Sequence, residues 1–512
     1  MSDRFNKMGT MIRSGACRVR VFRILCVMTL LAAGVAGAAE KSWRPPEKWR
    51  GFNLLGLFSK EWRNAGYQER EFKAIHDLGF NFVRLPMDYR IWIKGDDWDQ
   101  IDEEKIKLVD QAVAWGKQYG IHVQLCFHRA PGYTVAKPSE ARDLFTDPEA
   151  QRVCCKHWAF FAKRYKGIPN EAMSFNLFNE PDDRPDELYT KVCERLIEAI
   201  HHEDPDRFIV ADGLKWGGKP CVGLFKYKGL VGQAMRGYQP FGLTHYKASW
   251  VTGTDADPQW PPLPSVSPFY GPTKKPWDVP FVVEDAPAGA WILQVGTVSS
   301  LAHFVVEADG VTVAEKVFQP GFKPGWTNVV YHPEWRCHQG RTLEPLTFTL
   351  AEAADRLTIR IKEGDWAEVM KLTVKDGNRS AFMPFTSAWG STNAPVRFTG
   401  WTANPAGFAM QNAETGIAYL TRTMLDPWKP ARDAGVFTMV GEFGSHNRTP
   451  HPMVLAWLED LFTTLKKEDL SWALWNFNGS FGITDSGRSD VNYEPYEGFK
   501  LDRKMLEVLQ RN

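Results

Sequence analysis

A (β/α)8 barrel with an all-β sandwich inserted between its sixth and seventh strands is the fold this sequence predicts. Three observations point to it. From residue 50 onward, short apolar runs alternate with amphipathic helical stretches, and parallel strands need such crossovers because no tight turn can join them. Eight strand-like runs can be counted, the number that closes a barrel. The alternation is interrupted only after Tyr246, where the pattern shifts to period two.

The strands are expected at Gly51–Leu55, Phe80–Leu85, Val123–His128, Met173–Asn179, Phe208–Ala211, Gln233–Tyr238, Val436–Gly441 and Trp472–Asn476. Between them, Ile101–Tyr119 carries Ile106, Leu108, Val109, Ala112 and Val113 at helical spacing, with Asp102 and Glu103 in its first turn. Pro148–Lys163, Asp186–His202, Thr415–Leu425 and Pro452–Lys466 read as helices on the same grounds. The stretch 252–280 is rich in Pro and aromatic residues and reads as linker or long barrel loop. Beyond it, His303–Ala308 and Val311–Phe318 flank Asp309-Gly310, a strong hairpin signal. Leu357–Lys362 alternates cleanly, and Lys371–Val374 reads as a further strand. The expected organisation is therefore a leader at 1–39, a barrel from 40–265 and 396–512, and an inserted sandwich at 266–395.

The leader is read from Arg13, Arg18, Arg20 and Arg23, the short apolar run Ile24–Val35, and the small residues Ala36-Gly37-Ala38. That run is short for a membrane span of about 20 residues. A cleaved signal peptide is expected, hence a secreted, periplasmic or cell-surface protein with no membrane attachment after cleavage; an uncleaved anchor is the alternative. The net charge of +1 gives no basic excess for nucleic acid, and none is expected as a partner. Six cysteines remain beyond the leader, with neither zinc spacing nor a dense disulfide framework, although one or two disulfides stay open. No metal and no cofactor are expected. Twenty-one Trp residues lean toward carbohydrate, because flat aromatic faces stack on sugar rings as well as filling cores.

Two strings carry the chemistry. Phe175-Asn-Leu-Phe-Asn-Glu-Pro and Phe437-Thr-Met-Val-Gly-Glu-Phe-Gly are apolar runs that end in the carboxylates Glu180 and Glu442. Burying a carboxylate is costly. Two of them at the C-terminal ends of barrel strands are what glycoside hydrolysis uses, one as acid and one as nucleophile. Asn179 precedes Glu180 at the same strand end, Arg84, His128 and Trp475 stand at other strand ends, and all would face the same pocket.

The motifs Arg50-Gly-Phe-Asn-Leu, Asn81-Phe-Val-Arg-Leu-Pro, His128-Arg-Ala-Pro-Gly-Tyr, Asn176-Leu-Phe-Asn-Glu-Pro, Gly441-Glu-Phe-Gly and Leu474-Trp-Asn-Phe-Asn-Gly-Ser-Phe-Gly-Ile-Thr-Asp-Ser together resemble glycoside hydrolase family 5. The resemblance spans about 50–246 and 400–510, and not the insertion. It implies a retaining β-glycosidase, cellulase-like or exo-glucanase-like, with Glu180 as acid/base and Glu442 as nucleophile. Asn179 would donate to the sugar 2-hydroxyl, Arg84 would keep Glu442 ionised, His128 would bind substrate, and Trp475 would be a sugar platform. The family's His-x-Tyr after the sixth strand is here Arg236-Gly237-Tyr238: Tyr238 can keep its role toward the nucleophile, Arg236 can enter the cleft or point outward, and His245 can supply a histidine. A β-linked glucan or related poly- or oligosaccharide is the expected substrate, acted on by a monomer. Mannan and other β-glycosides, an inverting or transglycosylating enzyme, and a noncatalytic glycan-binding protein on the same scaffold are the rivals. Trp291, Trp326, Trp335 and Trp366 are candidate glycan platforms of the insertion, or else its core.

Overall fold

The computed structural model describes residues 42–390, 392–401, 407–410 and 413–512. The expected leader at 1–39 lies outside the described residues.

Eight parallel strands form a closed ring: β1 (Arg50–Asn53), β2 (Phe82–Asp88), β3 (His122–Ala130), β4 (Met173–Asn176), β5 (Ile209–Asp212), β6 (Val231–Gly237), β7 (Thr438–Phe443) and β8 (Ser471–Leu474). Each pairs with the next, and β8 closes on β1 through Arg50–Trp472, Gly51–Ala473 and Phe52–Leu474. The outer helices include α1 (Glu69–Asp77), α2 (Glu103–Tyr119), α3 (Pro148–Arg164), α4 (Asp186–Glu203), α5 (His451–Lys466) and α6 (Arg503–Gln510). Local chemistry sets their ends. Asp102 caps α2 by accepting from the Glu104 amide, and Gly120 terminates it at φ 63°. Asp147 caps α3 through the Glu149 and Ala150 amides, with Pro148 opening the first turn.

The helix expected at 415–425 is regular only over Gly416–Leu420 and then widens into a π-type turn over Thr421–Leu425. The Thr421 and Thr423 hydroxyls donate back to the carbonyls of Ile417 and Tyr419, a competition for backbone acceptors that loosens a helix.

Along each strand, alternate residues face the barrel axis or the helices. The outward set (Val83, Leu85, Leu125, Ile209, Ala211, Val440) joins the large core beneath the helices. The inward set changes character along the axis. At the N-terminal end, Trp49, Phe82, Phe208 and Phe437 form an aromatic floor: Trp49 stacks on Phe82 at 5.0 Å and lies 4.2 Å from His122. Each such ring removed from water is worth roughly 1.5–3 kcal/mol. At the C-terminal end, the inward residues are Asn53, Arg84, Asn176, Asp212, Arg236 and Glu442, all buried.

The insertion is all-β, and its entry and exit run side by side, since Ser265–Val266 pairs in parallel with Thr386–Ser387. Two long strands, Gly289–Ala308 and Ala354–Asp376, pair antiparallel over most of their length with several register breaks, and each contributes to both ends of one apolar core. Lys371–Val374, expected as a separate strand, is the second half of Ala354–Asp376. The strand bends through Gly364 (φ 114°), where an added Cβ would lie 1.9 Å from the Leu301 carbonyl oxygen, so only glycine lets the two strands approach. The Asp309-Gly310 hairpin is as expected, both residues having positive φ. Trp291 is fully buried, stacked parallel to Phe348, and belongs to the core; this removes it as a glycan platform. Trp366 is also buried and edge-on to Trp389, Trp326 is half-buried, and Trp335 is exposed beside His332. None of the six described cysteines is paired, so the disulfides left open above do not form among them.

Candidate active site

Three carboxyls and two guanidiniums meet at the C-terminal end of the barrel. Glu442 comes from β7, and its inward direction depends on a bulge. Val440 pairs with Met235, but the next pair on that side is Glu442–Arg236, leaving Gly441 as an extra residue. Strict alternation would have put Glu442 on the outward face with Val440. The extra residue must be glycine-sized, because a Cβ on Gly441 would lie 2.9 Å from Nη1 of Arg236.

Glu442 is held from two sides. Arg84 Nη1 donates to its Oε1 at 2.5 Å, and the Tyr238 hydroxyl donates to its Oε2 at 3.2 Å. Arg84 is itself fixed by four acceptors on or just after three strands: Asn176 Oδ1 at 2.8 Å, Asn53 Oδ1 at 3.0 Å, Cys126 Sγ at 3.0 Å and Asn179 Oδ1 at 2.7 Å. Burial pushes the Cys126 thiol up to about 12, so it remains a neutral acceptor.

Glu180 follows β4 and has φ 48°, unusual for a non-glycine residue. Its backbone is pinned there. The amide donates to Asp212 Oδ2 at 2.9 Å, and the carbonyl accepts from the Tyr133 hydroxyl at 2.7 Å. Strain of this kind persists where the surroundings over-determine it, and such places cluster at functional sites. The Glu180 carboxyl accepts from Arg236 Nε at 2.9 Å and keeps 17% of its side chain exposed, against 4% for Glu442 and 0% for Asp212. Burial first, and the neighbouring Glu442 second, raise its pKa to about 7.

Both glutamates reach one guanidinium: Arg236 Nη2 lies 3.3 Å from Glu442 Oε1 while Nε holds Glu180. Of the readings open for Arg236, the structure therefore selects the inward one. Arg236 Nη2 also donates to Asn179 Oδ1 at 2.9 Å and to Asp212. With its Oδ1 taken by two arginines, Asn179 leaves its buried Nδ2 donor without a partner. His128 is buried between Phe58 and Trp475 (centroids 4.4 and 5.7 Å), and its Nδ1 likewise has no partner. Burial, reinforced by Arg84, Arg236 and Arg129, holds the imidazole well below its usual range and therefore neutral. Unpaired buried polar atoms cost free energy unless a ligand completes them. Trp475 is partly exposed beside them. His245 packs in an aromatic wall, stacked on Phe241 at 4.0 Å and edge-on to Tyr238 at 5.0 Å. Its Nδ1 meets Thr244, and burial lowers it to about 4.

The expected residues Glu180, Glu442, Arg84, Asn179, Tyr238, His128 and Trp475 are thus gathered at one end of the barrel, with His245 behind Tyr238. Asp212, Asn53 and Asn176 were not expected. Asp212 ends the apolar run Phe208-Ile-Val-Ala-Asp, the same pattern that marked the two glutamates. Among the described residues, no group of three or more His, Cys, Asp or Glu is placed to hold a metal ion, and no helix is long and apolar enough to cross a membrane.

Residues 39–232 match the family model described as cellulase (glycosyl hydrolase family 5). This part of the barrel, from β1 into β6, is similar to glycosyl hydrolase family 5. Endoglucanase C of Acetivibrio thermocellus is 30% identical over 213 residues, covering 39% of this chain and 60% of the relative. Cellodextrinase A of Ruminococcus flavefaciens is 25% identical over 210 residues, covering 40% of this chain and 62% of the relative. The chain thus spans about 60% of the length of these relatives. A solved glycoside hydrolase superposes with TM-score 0.57 at 25% identity, over 91% of this chain and 99% of that one. Endoglucanase Cel5A of Thermotoga maritima shares the fold at TM-score 0.50 and 15% identity, over 90% and 96% of the two chains. The family match includes Arg84, His128, Asn179, Glu180 and Asp212 and ends inside β6, so Glu442 rests on the geometry.

Proposed function

We propose that this protein is a secreted retaining glycosidase that cleaves β-linked glucan, or a related poly- or oligosaccharide, by double displacement. Glu180 protonates the leaving oxygen while Glu442 attacks the anomeric carbon. Glu180 then acts as base toward the water that releases the sugar. The observation that carries this reading is the unequal treatment of two converging carboxyls. Glu442 is clamped by Arg84 and Tyr238, which favours an anionic nucleophile. Glu180 is more open to the cleft and is raised to about 7, as a general acid requires. Their contact with adjacent nitrogens of one guanidinium supports the short carboxyl separation of retaining enzymes, about 5–5.5 Å, over the 6.5–9.5 Å of inverting ones. The unpartnered Asn179 Nδ2 and His128 Nδ1, beside Trp475, supply the polar and aromatic groups that a sugar ring needs. Endoglucanase and cellodextrinase relatives favour a glucan over other β-glycans.

The test is hydrolysis of cello-oligosaccharides and soluble β-glucans with the anomer of the first product read by NMR, together with mass mapping after a 2-fluoro-glycoside trap. Retention and a label on Glu442 are expected. An inverted product, or a label on another residue, overturns the mechanism.

A further inference from the structure

The catalytic centre contains more charge than a two-carboxylate mechanism needs. The groups that act on Glu180 directly are Glu442 on β7, Arg236 and Tyr238 at the end of β6, Asp212 on β5 and Tyr133 beyond β3, with Arg84 on β2 and His128 on β3 next to these. His128 is neutral, and burial with the adjacent carboxylates holds the Tyr238 hydroxyl far above its usual range, so it too is neutral. Two guanidiniums then face three carboxyls. Asp212 is fully buried and bonds both Arg236 and the Glu180 amide, with Arg84 3.7 Å away. Glu442 takes Arg84 at 2.5 Å and Arg236 at 3.3 Å. Glu180 has the weakest hold, one Arg236 contact, and the most solvent. Charge balance therefore leaves the single proton on Glu180.

An arginine in contact with a general acid would ordinarily strip it of that proton. We propose that Asp212 and Arg236 are a coupled pair of positioning residues: Arg236 fixes the Glu180 carboxyl toward Glu442, and Asp212 neutralises Arg236 so that Glu180 can be held without being ionised. The proposal rests on the assignment of Glu180 as the general acid. It also explains why Gly441 and Gly217 flank this arginine. A Cβ on either would come within 3 Å of it (2.9 Å to Nη1 and 2.7 Å to Cγ), so its placement is built into the backbone.

The experiment compares Asp212→Asn, Arg236→Gln and the double variant. The first readout is the carbon-13 titration of the Glu180 carboxyl, assigned through Glu180→Gln, which needs no substrate. Asp212→Asn keeps an oxygen for the Glu180 amide but removes the negative charge; its Glu180 midpoint should fall by about one pH unit or more. Arg236→Gln should raise the midpoint, and the double variant should return it toward that of the parent. The second readout is the kcat/KM profile on an oligosaccharide. For Asp212→Asn, the alkaline limb should move to lower pH by the same amount, with activity lost at pH 7 and largely recovered near pH 5. On a dinitrophenyl glycoside, whose leaving group needs no proton, the loss should be absent. A uniform loss at every pH with an unmoved Glu180 midpoint would make Asp212 a purely structural residue and overturn the proposal. If Asp212→Asn does not fold, an unmoved midpoint in Arg236→Gln overturns it equally. Absence of any hydrolysis by the parent would sink the glycosidase reading instead, and the titration would still decide the pair.

Discussion

The two ends of the barrel are built from the same eight strands and the same inward-facing alternation, yet they are opposite in chemistry. The floor is a stack of rings, Trp49, Phe82, Phe208 and Phe437, in contact with one another. The mouth is a lattice of guanidiniums, carboxyls and amides in which nearly every polar atom is spoken for, apart from a few such as Asn179 Nδ2 and His128 Nδ1. The floor gains free energy by excluding water. The mouth spends part of that gain on buried charge, which is expensive unless fully paired. The contrast teaches that stability and chemistry are segregated along one axis, as expected for a barrel whose strand C-termini carry the site.

Three variants test that segregation, beginning with the largest effect. Glu442→Gln should lower turnover by at least about 10³-fold, while thermal unfolding followed by circular dichroism changes little. Retained turnover would remove Glu442 from the chemistry. At the other end, Phe82→Ala should cost about 3–5 kcal/mol of stability in urea titration, with kcat per folded molecule unchanged. A selective loss of kcat there would mean that the two ends are coupled. The smallest effect is pH-dependent. Glu180 is raised in the folded state from 4.5 to about 7, so the parent's stability from this group is fully present below about 4.5 and is lost as pH rises through 7. Glu180→Gln should therefore match the parent in Tm at pH 4.5 and exceed it at pH 8. A Tm difference that stays constant across that range would contradict the raised value.

The sequence was most readable where local pattern and tertiary role coincide. Apolar runs ending in Glu180 and Glu442 announced both strand and site, and the Asp309-Gly310 turn announced its hairpin. It was least readable where a side chain's direction depends on register. Whether Glu442 faces in or out is decided by the odd residue at Gly441 before it, and pairing partners are not written in a one-dimensional pattern. Asp212 was legible in principle, but the expected strand stopped at Ala211, one residue short. The fusion of Lys371–Val374 into Ala354–Asp376 depends on one bend at Gly364, which by itself reads equally well as a turn.

The additional glycine in β7 has a consequence for how the proposed activity can be lost. A gene copy lacking codon 441 would make Val440 and the acid direct neighbours, so plain alternation would still turn the acid toward the axis, whereas a copy with one further codon there would rotate it by one step into the oily layer under the helices. Such a lengthened polypeptide would be expected to carry every side chain named in the mechanism and yet be unable to aim one of them.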